Sequence, residues 1–322
     1  MTRAFIPDEI LSLAHARAAA RSNRDWTEAD RLRGEIEAAG WKVVDRGTDF
    51  GLELANPPTV AADGDVHYGA SDAVPARFDE PATGLATVVL VATDWPADLD
   101  RALQGLRAHA PAGVSIVVVA DGPSAEQDAA LASLAASDAP PAAGSAPEIV
   151  RTSERLGTAA AWNVGIRRAT GPIVVILDTS VEPTGDVVSP LVDALDDSTV
   201  AVAGGFGIVS ADLRKFDDRG PGDVTAVEGY AIAFRRDDAA ARGPLDERFR
   251  FYRNLDIWWS LVLRDEGEEI APRRALAVPI PATRHDHRGW SSLAETERDR
   301  LSKRNFYRII DRFGWRRDLA TD

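Results

Sequence analysis

The spacing of apolar positions changes three times along the 322-residue chain. Over the first 39 residues it is helical. Ile10, Leu13, Ala14 and Arg17 share one stripe, and Ala29, Leu32 and Ile36 share another, which predicts two helices. Asp25 or Thr27 can cap the second helix, and Gly40 ends it. "WKVVDRGTDFGLEL" then alternates like a hairpin around Gly47. Residues 57–84, rich in Pro, Gly, Ala and Asp, read as a mobile linker between residues 1–56 and 85–322.

From residue 85 short apolar runs alternate with helical stretches. "ATVVLVA", "VSIVVVA", "EIV", "PIVVIL" and "TVAVAGG" are β-branched runs too short for helices. "ADLDRALQGLRAHA", "TAAAWNVGIRRA" and "DVVSPLVDAL" are the helices between them. This order predicts an α/β fold, a mostly parallel sheet with right-handed crossovers and helices on both faces. Ligands in such a sheet sit beyond the carboxyl ends of the strands. Asp94, Asp121 and Asp178 each stand at or just after such an end. Further on, "AVEGYAIAFRR" reads as a strand and "NLDIWWSLVLRDEG" as a helix closed by Gly267. "LAETERDRLSKRNFYRIIDRFG" reads as an exposed amphipathic helix.

Composition narrows the function classes. The chain is 45% hydrophobic, ordinary for a globular protein. No run approaches the roughly 18 apolar residues of a membrane helix. The first twenty residues are charged throughout and lack a signal-peptide core, which points to a cytoplasmic location. With no cysteine there is neither a disulfide framework nor a thiolate metal site. A net charge of −14 disfavours nonspecific binding to nucleic acid or anionic lipid.

The strand-end acids carry the chemistry. Asp121 can accept hydrogen bonds from a base or ribose, although Asp-Gly is also a common turn pair. Asp94 can face the same ligand, and "TDWP" is equally a helix start. Asn163 sits mid-helix, where it is poorly favoured, and a helix aimed at a diphosphate would explain it. Gly157 would then permit close approach at the helix entrance. Asp178 emerges from "IVVIL" over the sheet end, where a ribose or a hard cation such as Mg²⁺ or Mn²⁺ would lie.

Four segments of residues 85–315 together resemble a family 2 glycosyltransferase of the GT-A (Rossmann-like) fold. They are "VVVADGPS", "ERLGTAAAWNVGIRRATGPIVVILD", "EGYAIAFRRDDAAARGPLDERFRFYRNLDIWWSLVLRDEG" and "HDHRGWSS". The resemblance implies a hexosyltransferase that moves a sugar, with inversion, from a nucleotide sugar to a glycan or lipid-linked acceptor. It also implies a divalent metal. Asp94, Asp121, Gly157, Asn163 and Asp178 would form the nucleotide-sugar site, with Asp178 and either His285 or His287, here His287, on the metal. Two positions depart from the family. Ser180, a neutral and weaker ligand, stands where a second acid is usual. The usual Glu-Asp pair is Arg253-Asn254, so the usual general base is an amide. Asp256 and Glu228 are the remaining catalytic candidates. These departures leave open a degenerate domain that binds a nucleotide sugar or a partner without turnover.

"ARAAARSNRDWTEADRLRGEIEAAGWKVVDRGTDFGLEL" resembles the C-terminal tail of bacterial cysteinyl-tRNA synthetases. That implies a small helical module over residues 1–56. Its eight Lys/Arg against ten Asp/Glu do not suit tRNA, so a protein partner or structural packing is expected instead.

Overall fold

Two helices and a hairpin fold together at the N-terminus of the computed structural model, which describes residues 6–46, 49–55, 57–62, 64–136 and 146–321. α1 (Asp8–Ser22) packs on α2 (Trp26–Ala38), and β1 (Trp41–Arg46) runs antiparallel to β2 (Asp49–Leu54). Their core is Ile10, Ala14, Ile36 and Trp41. Asp25, rather than Thr27, caps α2 by accepting the Glu28 N–H at 3.1 Å. Gly40 leaves the helix at φ +79°. The predicted turn at Gly47 lies outside the described residues. Arg17 is buried on an otherwise apolar stripe because its guanidinium meets Asp45 at 2.9 Å. Arg17, with Arg21 behind it, holds the Asp45 carboxyl down at about 2. This unit spans residues 1–59, and residues 60–322 form the second.

The second unit opens with β3 (Val60–Ala62) and β4 (Asp65–Tyr68). Then follow β5 (Ala86–Ala92), α3 (Pro96–His109), β6 (Val114–Ala120), α4 (Ala125–Ala135), β7 (Glu148–Thr152), α5 (Thr158–Arg168) and β8 (Ile173–Leu177). After β9 (Val181–Pro183), α6 (Ser189–Asp196) and β10 (Val200–Gly204) come the short strands β11 (Gly207–Val209), β12 (Asp217–Arg219), β13 (Gly222–Val224) and β14 (Ala226–Val227). The chain ends with β15 (Ala231–Arg235), α7 (Arg236–Arg242), α8 (Leu255–Arg264), β16 (Arg274–Ala277), β17 (Ala282–Arg284), α9 (Arg288–Ser291) and α10 (Glu295–Phe313).

The main sheet has the order β13-β16-β10-β15-β8-β5-β6-β7-β4-β3. β7, β6, β5 and β8 are parallel neighbours, as the alternating pattern predicts, and β4 adds a further parallel strand beside β7. β15 runs antiparallel to both β8 and β10. "AVEGYAIAFRR" is therefore two strands: β14 pairs with β11 in a separate small sheet, and the chain turns at Glu228–Tyr230 to enter the main one. Alternate residues of each central strand face opposite helix layers. Val89, Val119 and Ile176 meet α5, α8 and α10 on one side. Leu90, Val118 and Leu177 meet α3, α4 and α6 on the other. Among the described residues no helix is long and apolar enough to cross a membrane.

Residues 60–84 are not a linker. β4 adds to the sheet edge beside β7, and Val74 is completely buried. Arg167 donates to the Val74 carbonyl at 2.8 Å, and the buried Arg236 donates to that of Glu80 at 2.7 Å. Composition misleads here because the segment is fixed by arginines and backbone bonds from elsewhere in the chain rather than by its own apolar pattern.

Candidate active site

A cavity of about 460 Å³ opens at the carboxyl ends of β5, β6 and β8. Asp94, Asp121, Arg155 and Gly157 line one end, Asp178 the middle, and Glu228, Tyr230 and Asp256 the other. The segment before α8 and the loop around α9 complete the wall.

At the first end the acids are already engaged. Asp121 accepts the backbone N–H groups of Leu156 at 2.7 Å and Gly157 at 3.1 Å. Burial pushes its carboxyl up, against the pull of those donors. Asp94 takes the Arg155 guanidinium in a fork, at 2.9 and 2.7 Å. Gly157, at φ +105°, caps α5, and a Cβ there would stand 2.9 Å from the Arg250 Cα. Gly157 thus permits a close approach of the chain's own backbone at Arg250. The α5 entrance is closed likewise, because Thr158 and Ala159 donate to the Arg250 and Phe249 carbonyls, each at 3.1 Å. Asn163 does not line the cavity. It is buried, and its amide bonds both backbone groups of Leu245, at 2.8 and 3.0 Å, and the Glu247 carboxylate. A structural clamp is what makes an asparagine tolerable in mid-helix.

Asp178 sits one residue beyond β8, with its N–H donated to the Tyr230 carbonyl at 3.0 Å. Ser180 is buried, and both its hydroxyl and its N–H donate to Asp178 Oδ1. The serine therefore orients the carboxylate, where the sequence suggests a weak ligand. The other oxygen stands 3.3 Å from His287 Nε2. Burial opposes charge on both groups, but their contact outweighs it: the Asp178 carboxyl lies below its usual range and the His287 imidazole above. Tyr252 stacks on the His287 ring at 3.9 Å between centroids. His285 instead bonds Glu182 at 2.6 Å.

Among the described residues no group of three His, Cys, Asp or Glu side chains is placed to hold an ion. Asp178 and His287 nevertheless bring one oxygen and one nitrogen donor together at the cavity wall. Mg²⁺ and Mn²⁺ sites commonly take few protein ligands and complete the shell with phosphates and water. The pair fits an ion shared with a diphosphate, not an all-protein cage.

At the far end Asp256, the second residue of α8, accepts the Gly229 and Ile257 N–H groups, each at 2.9 Å. Glu228 lies at the turn between β14 and β15, 3.4 Å from Arg284. Burial pushes both carboxyls up, and Asp256 raises Glu228 further. Asn254 is left-handed at φ +69° and donates its amide to the Ser302 carbonyl at 3.0 Å. It lies outside the cavity lining, so it does not occupy the place of a base.

The aromatic residues divide. Phe249, Trp258 and Trp259 are core, whereas Phe251 and Tyr252 line the cavity with Trp95 and Tyr230. Trp95, Arg250 and Arg288 also line the cavity, and in the sequence nothing marks them but their place beside Asp94, Phe251 and His287.

Comparison with known proteins agrees with this architecture. Residues 87–240 match the family model for glycosyl transferase family 2. Residues 5–49 match that for the cysteinyl-tRNA ligase anticodon binding domain. The cysteine–tRNA ligase of Opitutus terrae is 45% identical over 53 residues, which is 16% of this chain but only 12% of the ligase. GalNAc-T7, solved with UDP, GalNAc and Mn²⁺, superposes with a TM-score of 0.55 at 16% identity, over 71% of this chain and 48% of that one. The mannosyltransferase PcManGT of Pyrobaculum calidifontis, solved with GDP-Man and Mn²⁺, gives 0.47 at 19% identity, over 84% and 65%. The family match ends at residue 240, before Asp256 and His287. Residues 60–322 adopt a GT-A fold, of which residues 87–240 match the family 2 glycosyltransferase model, and residues 5–49 match the model of the cysteinyl-tRNA ligase anticodon binding domain.

Proposed function

We propose that this chain moves a sugar from a nucleoside diphosphate sugar to a hydroxyl of a glycan or lipid-linked acceptor, with inversion. The observation that supports this is one cavity that brings together Asp94, Asp121 and Asp178, at or just after strand ends, with Glu228 and Asp256 beside α8. Asp178 receives the ribose or, with His287, holds Mn²⁺ or Mg²⁺. Such an ion, when bound, would offset charge on the leaving diphosphate. Glu228 is the general base. Burial raises its carboxyl above the ordinary glutamate value, while both oxygens of Asp256 are spent on backbone N–H groups. Glu228 takes the hydroxyl proton as the acceptor oxygen bonds the sugar carbon. The bond from that carbon to the diphosphate breaks on the opposite side, which inverts the centre. Asp256 positions the Gly229 backbone next to the base.

A panel of UDP-, GDP-, dTDP- and CDP-sugars tests this by release of the nucleoside diphosphate. Glu228→Gln is expected to lower turnover by about 10²–10⁴-fold with donor binding kept. Unchanged turnover would move the base elsewhere. A second reading, binding without turnover, draws on Asn254 facing Ser302 instead of the cavity. It gains if a nucleoside diphosphate binds and no donor is consumed. For the N-terminal module we infer protein docking or structural packing rather than tRNA binding, because its acids outnumber its bases.

A further inference from the structure

Four arginines line the cavity, and three are engaged. Arg155 pairs with Asp94, Arg288 meets Asp98 at 3.2 Å, and Arg250 donates to the Arg155 carbonyl at 3.1 Å. Arg253 has no hydrogen-bond or carboxylate partner for its guanidinium among the described residues. Its position is nonetheless built. The buried Asn305 of α10 donates its amide to the Phe251 carbonyl at 2.8 Å and the Arg253 carbonyl at 2.9 Å, which fixes the segment. The guanidinium rests 5.6 Å from the centre of the Trp290 ring. A guanidinium that faces a ring without other partners keeps its N–H edges free for a ligand. It also lies within electrostatic range of Glu228 and Asp256, the acids of the acceptor end.

We propose that the acceptor carries a phosphate group beside the hydroxyl that takes the sugar, and that Arg253 binds that group through its open edge. Planar, paired N–H donors match the oxygens of such groups. In a chain of net charge −14, an anionic acceptor needs a local cation of this kind. This inference rests on the sugar-transfer reading. The anion can belong to a soluble sugar phosphate or to a phosphorylated lipid.

The full chain, saturated with whichever of UDP, GDP, dTDP or CDP stabilises it most, is titrated with glucose 6-phosphate and with glucose. In parallel it is mixed with phosphatidylcholine vesicles with and without polyprenyl phosphate. Binding to the charged probe of one arm is expected to be at least about tenfold tighter than to its neutral counterpart, as a charge-assisted pair implies. The arm that responds identifies the source. Arg253→Gln should remove that preference while nucleoside diphosphate affinity stays within about twofold, and Arg253→Lys should fall between, since it keeps the charge without the fork. Equal binding of charged and neutral probes in both arms, or a preference that survives Arg253→Gln, would overturn the inference alone. Failure of all four nucleoside diphosphates to bind would overturn the transfer reading and this inference with it.

Discussion

Glu228 and Asp256 share the far end of the cavity, and their coupling has a measurable consequence. Burial raises the Glu228 carboxyl first, and Asp256 and Asp218 raise it further, against Arg284 and Arg253. A general base works only when deprotonated, so kcat/KM should fall as pH drops through a value above the ordinary glutamate range. Asp256→Asn removes one negative neighbour and should move that acid limb to lower pH. A pH profile of kcat/KM checks it, and an unmoved limb would mean the two acids do not interact. Single residues were unevenly legible in the sequence. Asp121 and Asp178 were found because an apolar strand ends at each. The roles of Asn163, Gly157 and Asn254 were not, since they depend on Leu245, Arg250 and Ser302, respectively 82, 93 and 48 positions away in the chain.

The regular elements were better predicted than the segments between them. Central strands buried on both faces leave unbroken β-branched runs, and period-3.6 stripes mark the helices that cover them. The reversal of β15 left no such mark, because an antiparallel strand in mid-sheet is as apolar as its parallel neighbours. Residues 60–84 were misread because their own composition resembles a tether while Arg167, Arg168 and Arg236 donate to their carbonyls. A chain beginning at Val60 should therefore unfold cooperatively with full stability for this unit. One beginning at Leu85 strips acceptors from the buried Arg236 and the half-buried Arg167 and Arg168 and uncovers the surface under Val74, a loss of about 3 kcal/mol. Urea unfolding of the two truncations checks this, and equal midpoints would return residues 60–84 to the status of a linker.

At the scale of the whole molecule the family match takes in one part of the cavity lining and not the other. The family match covers the strand ends with Asp94, Asp121 and Asp178 and stops before the segment that carries Arg253, Asn254 and Asp256. The proposed donor site therefore rests on these strand-end carboxylates, with Asp178 at its centre. The most direct measurement is thermal unfolding of the full chain and of Asp178→Ala with UDP, GDP, dTDP and CDP, each with and without Mn²⁺. At a hundredfold excess over Kd, binding to the folded state adds about 2.7 kcal/mol. The account predicts that at least one of the four raises the Tm of the unaltered chain and that Asp178→Ala loses most of that rise. No shift with any of the four, or a shift that Asp178→Ala keeps in full, would contradict it.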